Sequence, residues 1–267
     1  MKRTLWIPLL AVVFALPTNA ARVADQDAQP AAEPQNAAER CDALIEKAEA
    51  AQNAWIEEYR AKVKAARETD EDLPAFSWDN SPLKDFLPQF QALAEEFAGT
   101  EGAIAPLIWI VSDASWIDTD ATKSAIETLF EVHIESEELE TLSGSLRQFE
   151  NILGVERNKQ LLSRIEELSP SKKLCGWATY TRVIGDFEDA ELDSEAYASL
   201  KQTLLAAAEA SGDKRLKSSV AKKTRVREHF ALGMTAPDIT GVDLDGVAFN
   251  LSDYTGKVLF VDFWGDW

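Results

Sequence analysis

From about Glu39 to about Phe230, apolar residues recur at every third or fourth position, and beyond Phe230 that period stops. No other feature constrains the fold as strongly. A three-to-four spacing gives a helix one apolar face to bury, whereas the residues after Phe230 read as short extended runs between turns. Cys41, Leu44, Ile45, Ala48, Ala51, Gln52, Trp55 and Tyr59 form the first, mostly apolar stripe. An acidic break from Thr69 to Asn80 contains Pro74. Ser81-Pro82 then has the form of an N-cap followed by proline at the first helical position. Leu83, Phe86, Leu87, Phe90, Leu93, Ala94 and Phe97 carry the next stripe, and Gly99 ends it.

Ala103 to Val111 is nearly all apolar and predicts a buried helix. Thr119–His133, Ser136–Leu153 and Asn158–Leu168 are further helical stretches. Another opens at Ser169-Pro170 and runs through Trp177, and Ser194–Ala210 and Ser218–Phe230 complete the set. Short polar turns join them, which predicts an antiparallel helical array, either a bundle or a short solenoid. No fixed repeat period is visible. Trp109 and Trp177 lie in the most apolar helices and are core candidates. Trp55, Trp78 and Trp116 read as core or interface anchors rather than a ligand cage.

The beginning of the chain has a different character. Met1-Lys2-Arg3 is basic, Thr4 to Leu16 is apolar apart from Pro8, and Pro17-Thr18-Asn19-Ala20 places small residues before a cleavage point. This is the pattern of a secretory signal peptide over 1–20, cleaved after Ala20 or Ala21. The other reading is an uncleaved anchor, although the run is short for a bilayer span. No cysteine follows it to accept a lipid. Residues 21–38 are rich in Ala, Gln, Asp and Pro without an apolar period and read as a disordered linker, Pro30 and Pro34 opposing a helix. No later stretch is long and apolar enough for a transmembrane helix. The expected location is exported, periplasmic or extracellular.

With a formal net charge of −19, the chain offers no basic surface for nucleic acid. Its only cysteines, Cys41 and Cys175, lie far apart in unlike contexts. They read either as a bridge, which an oxidising compartment permits, or as two separate small apolar residues on helix faces. Neither belongs to a C-x-x-C pair. His133 and His229 lack metal-ligand spacing, so no metal site is expected. The carboxylates around His133 read as a solvated helix face.

After Phe230 three linked pieces follow in order. Gly233-Met234-Thr235-Ala236-Pro237-Asp238 comes first. Asp243-Leu244-Asp245-Gly246 with Phe249-Asn250-Leu251-Ser252-Asp253-Tyr254 comes second, its Asp245-Gly246 being a hairpin signal. Gly256-Lys257-Val258 then leads into Phe263-Trp264-Gly265-Asp266-Trp267. Val258 to Phe263, apolar on both faces apart from Asp262, has the pattern of a strand buried in mid-sheet.

These pieces resemble the TlpA-like thiol–disulfide oxidoreductases, an exported branch of the thioredoxin superfamily close to the AhpC/TSA redoxins. The matching motif positions are Gly233, Pro237, Asp238, Gly246 and Gly256, with Phe263, Trp264 and Trp267 flanking the site. In that family the tryptophan is followed at once by C-x-x-C. The resemblance covers only 231–267 and implies the first part of a thioredoxin-like α/β domain after a helical domain at 39–230. The overall class is therefore mainly α. It implies Asp262 as a buried acid moving the second thiol's proton, no cofactor, and exported protein or small-molecule thiols and disulfides as partners. The alternative reading of Asp262 is a polar residue capping a strand end.

The catalytic thiols of the family pattern are absent from this sequence, and the polypeptide as written is expected to be inactive. The expectation is a truncation just before the site, left by a UGA codon for selenocysteine read as stop, by a true stop, or by an error. Two further readings stand: a non-catalytic helical binding or scaffold protein with a vestigial tail, and a peroxide-reducing redoxin.

Overall fold

The computed structural model describes residues 34–69, 72–230 and 233–262. The expected signal peptide, most of the expected linker, and Phe263, Trp264 and Trp267 lie outside them. The described residues are mainly α-helical. The first helix, α1, is Pro34–Thr69, and it starts ahead of the expected Glu39. Pro34 is no obstacle there, because a proline in the first turn lacks only an N–H that has no helical partner anyway. Ala37, expected in the linker, is buried in the core.

Then come α2 (Leu83–Glu96), α3 (Ile104–Asp113) and α4 (Thr119–Val132). Gly99 follows α2 with φ 74°, a left-handed conformation that closes the turn. The continuous helix expected from Ser136 to Leu153 is instead a 3-10 stretch, Glu137–Ser145, followed by the short α5 (Phe149–Leu153). Leu139 and Leu142, three residues apart, are both fully buried, and a three-residue turn stacks such positions on one side. Gly154, at φ 81°, separates α5 from α6 (Val155–Leu168).

α7 (Lys172–Asp189), α8 (Glu195–Ser211) and α9 (Lys214–His229) follow. Side-chain caps set their starts. Ser171, rather than Ser169, accepts from Leu174 N at 3.1 Å, and Ser194 accepts from Tyr197 N at 3.0 Å. Asp213 accepts from Arg215 N at 2.6 Å and Leu216 N at 2.9 Å. That cap begins α9 at Lys214, ahead of the expected Ser218.

Two apolar clusters hold these helices. The larger joins α1 to α6 and the start of α7, with Trp109 stacked on Phe90 at 3.7 Å between centroids. The smaller joins the rest of α7 to α8 and α9. Trp177 is half-buried and packs against both. At Gly176, one residue earlier, an added Cβ would meet Ser211 Cβ at 2.6 Å and Ala207 O at 3.0 Å. The segment before α2 is held to α1 by aromatic contacts. Phe76 lies 5.1 Å from Trp55 and 4.8 Å from Tyr59, whose hydroxyl donates to Pro74 O at 3.1 Å. Among the described residues no helix is long and apolar enough to cross a membrane.

Candidate functional site

After α9 the residues from Gly233 to Asp262 contain a two-stranded antiparallel hairpin, β1 (Thr240–Val242) with β2 (Ala248–Asn250). Thr240 faces Asn250, Gly241 faces Phe249 and Val242 faces Ala248. Gly246 supplies the positive φ of the turn, at 78°. Asp243 organises the loop, its Oδ1 accepting from Asp245 N at 2.9 Å and from Val247 N at 2.8 Å. Aspartate does this readily, since its short side chain reaches backbone amides two residues on.

The resemblance singled out Asp238, and the structure gives it a mechanical role. Its carboxylate accepts from Ser252 N at 2.9 Å and Ser252 Oγ at 2.7 Å, beside the bond from Leu251 N to Ile239 O at 2.9 Å. The first and second motif pieces are thus tied together. The Ser252 hydroxyl and amide hold the Asp238 carboxyl below the usual carboxylate range. Asp253 accepts from Asn250 N at 2.8 Å, completing a capping box over the 3-10 turn Leu251–Tyr254. Gly233 and Gly256 both have positive φ, and Lys257 lies 5.5 Å over the Tyr254 ring. Pro237 precedes Asp238 in an irregular stretch. Nothing in the sequence pattern alone announced the Asp238–Ser252 tie.

The buried strand expected over Val258–Phe263 is not formed. Residues 258–262 have no regular structure, and Phe260 is 94 % exposed. No strand lies beside them among the described residues, so their apolar faces and backbone have nothing to pair with. Asp262, assigned by resemblance to a buried acid, is exposed in consequence.

The two cysteines are far from redox chemistry in character. Both thiols are free, so the bridge considered from sequence is not made. Cys41 is fully buried in the larger cluster, while Cys175 Sγ faces Ile165 O at 3.4 Å and Ser169 O at 3.5 Å beyond α6. Burial, with the nearby Asp42 and Glu138 carboxylates, pushes the Cys41 thiol up to about 11. Burial and Glu166 push Cys175 upward too. Both therefore stay protonated near neutrality, where a thiolate is the species needed for attack.

His133 is buried rather than on a solvated face. Its Nε2 has no partner among the described residues, and burial lowers its basicity. Among the described residues no group of His, Cys, Asp and Glu is placed to hold a metal ion. A ladder of rings, Trp55, Trp78 and Trp116, is joined at 5.8 Å and 5.6 Å, with Trp78 and Trp116 exposed. The rings touch one another, which leaves no cage between them.

A stretch of 37 residues of this chain is 54 % identical to the thiol-disulfide oxidoreductase ResA of Geobacillus kaustophilus, covering 14 % of this chain and 21 % of that protein. A 37-residue stretch is 51 % identical to ResA of Geobacillus thermodenitrificans, with the same coverage. The chain thus spans about a fifth of the length of these curated relatives. No family model matches it, and no solved structure does. The two local similarities support a thioredoxin-like redox family for the part they cover.

Proposed function

We propose that this chain belongs to thiol–disulfide exchange of the TlpA-like kind, with residues 231–267 forming the approach to the redox thiols and 39–230 an accessory helical domain. The local similarity to two ResA proteins carries the reading. The family motif positions and the Asp238–Ser252 tie are in keeping with it. In the reaction, a thiolate attacks one sulfur of a partner disulfide, forming a mixed disulfide and releasing the other sulfur as a thiolate that takes up a proton. A second thiolate then attacks the mixed disulfide and frees the reduced partner. The sequence holds no C-x-x-C pair, both Cys41 and Cys175 are held protonated, and Cys41 is buried besides. A polypeptide of this sequence is therefore proposed to be inactive by itself, and joining it to a Cys-x-x-Cys and the remainder of a thioredoxin-like domain is proposed to confer activity. Export belongs to the same reading, with cleavage near Ala20 and exported protein or small-molecule disulfides as partners.

The test is insulin reduction by the chain extended beyond Trp267 with Cys-x-x-Cys and the remainder of a thioredoxin-like domain. Turnover is expected. Asp262→Ala in the extended chain should slow exchange most near neutral pH if a completed sheet buries that carboxylate beside the thiols. An extended chain that folds, with regular sheet signals, yet reduces no disulfide overturns the functional reading.

A further inference from the structure

The redox reading leaves one feature of the helical domain without a use, a cavity of about 590 Å³ between α1 and α3. That volume lies within the range of small-molecule sites. Its apolar wall is formed by Ile45 and Ala48 of α1 and by Ala105, Ile108 and Trp109 of α3. These positions belong to the stripes that two packed helices normally bury against each other. Ala48 and Ala105 are too small to fill the space between. Leu83 from α2 and Thr141 from the 3-10 stretch add to the walls, so four elements border the space, which is open to solvent on its remaining side.

The charged part of the lining is of one sign and belongs to residues exposed to solvent, beside the neutral Gln52, Asn53 and Thr141. Glu49, Asp113 and Glu138 border the cavity, and no Lys, Arg or His does. None of the three forms an ion pair among the described residues. The field inside is felt by neighbours. Burial and then Glu49 raise the Asp113 carboxyl, and Glu138 is among the groups that raise Cys41. Three carboxylates around an apolar space repel an anion.

We propose that this cavity binds a small organic cation with an apolar body, an aryl- or alkylammonium, whose hydrocarbon part lies against Ile45, Ile108 and Trp109 and whose ammonium, at the solvent side, faces the exposed carboxylates of Glu49, Asp113 and Glu138. The apolar wall supplies hydrophobic burial, and the carboxylates supply charge-assisted contacts that a neutral molecule of the same shape lacks.

Calorimetric titration of the full chain at low salt with 4-phenylbutylammonium tests this, with 4-phenylbutanol and 4-phenylbutyrate as neutral and anionic counterparts. The amine should bind saturably with one site. The alcohol should bind about tenfold or more weakly, and the carboxylate should give no heat. Glu49→Gln with Asp113→Asn should bring the amine to the level of the alcohol. Ala105→Phe, which fills the space, should abolish binding of both. Methyl shifts of Ile45 and Ile108 in the unmodified chain should move with the amine, a readout that depends on no variant. Equal binding of amine and alcohol, or no saturation by about 10 mM, overturns the proposal. Binding of a lysine-bearing peptide with no response to the amine also overturns it, and makes the cavity a protein contact instead.

Discussion

Two glycines in α7 should respond in opposite directions to the same substitution. Alanine in place of glycine in a helix interior ordinarily adds up to about 1 kcal/mol of stability, through propensity and a less flexible unfolded chain. At Gly185 an added Cβ meets nothing within 4 Å, so Gly185→Ala should realise most of that gain. At Gly176 the Cβ would lie 2.6 Å from Ser211 Cβ, 3.0 Å from Ala207 O and 3.1 Å from Leu216 Cδ2. Two of these atoms are backbone or bonded directly to it, so relief requires α8 to move away from α7 by several tenths of an ångström. Overpacking of this kind costs roughly 1–3 kcal/mol, which exceeds the propensity gain. Gly176→Ala should therefore be net destabilising by about 1–2 kcal/mol, while Gly185→Ala stabilises. Urea denaturation of the full chain, followed by helical circular dichroism, reads both. If Gly176→Ala were as stabilising as Gly185→Ala, α7 and α8 would not approach as closely as described.

Two further outcomes follow from the charge states. With the Cys41 thiol moved from an ordinary 9.0 to about 11, its alkylation by iodoacetamide at pH 8 should be about a hundredfold slower than an ordinary thiol's and should recover in urea, as read by mass spectrometry. Since the folded value is raised, the associated stability is complete below pH 9.0 and is lost as pH rises through about 11. At Asp213 burial opposes ionisation but is outweighed by hydrogen bonds from Leu216 N, Arg215 N and the Trp177 side chain, which hold the carboxyl below 3.8. Asp213→Ala should cost about 1 kcal/mol at neutral pH in urea titrations. Because the folded value is depressed, the advantage of the parent over the variant should be full above pH 3.8 and fade as pH falls through the folded value.

The helical class was legible because burial in a helix leaves a period in the sequence, and the stripes of α1 to α4 lie close to where that period puts them. The starts of α7 and α9 were less so, since Ser169, Ser171, Asp213 and Ser218 are all acceptable caps and only the packed structure selects among them. The 3-10 stretch at Glu137–Ser145 escaped because leucines three and four apart suit either helix type. In the tail, Gly246 announced its turn through its own conformational freedom. The tie from Asp238 to Ser252 crosses fourteen residues, and no local pattern encodes it. Val258 to Asp262 reads as a core strand because its composition suits one, yet a strand needs neighbours, and composition cannot say whether they are there. The cavity was hidden for a similar reason. Ala48 and Ala105 look like ordinary stripe members until the distance between their helices is known.

The central proposal is that 231–267 is the approach to a redox site whose thiols lie outside this sequence, and that Cys41 and Cys175 of the helical domain take no part. One assay compares them directly: insulin reduction by the chain as it stands, by its Cys41→Ser, Cys175→Ser form, and by both after extension with Cys-x-x-Cys and a thioredoxin-like remainder. No turnover is expected from either unextended protein, and equal turnover from the two extended ones. Turnover by the unextended chain that disappears with Cys41 and Cys175 would contradict it and move the redox centre into the helices.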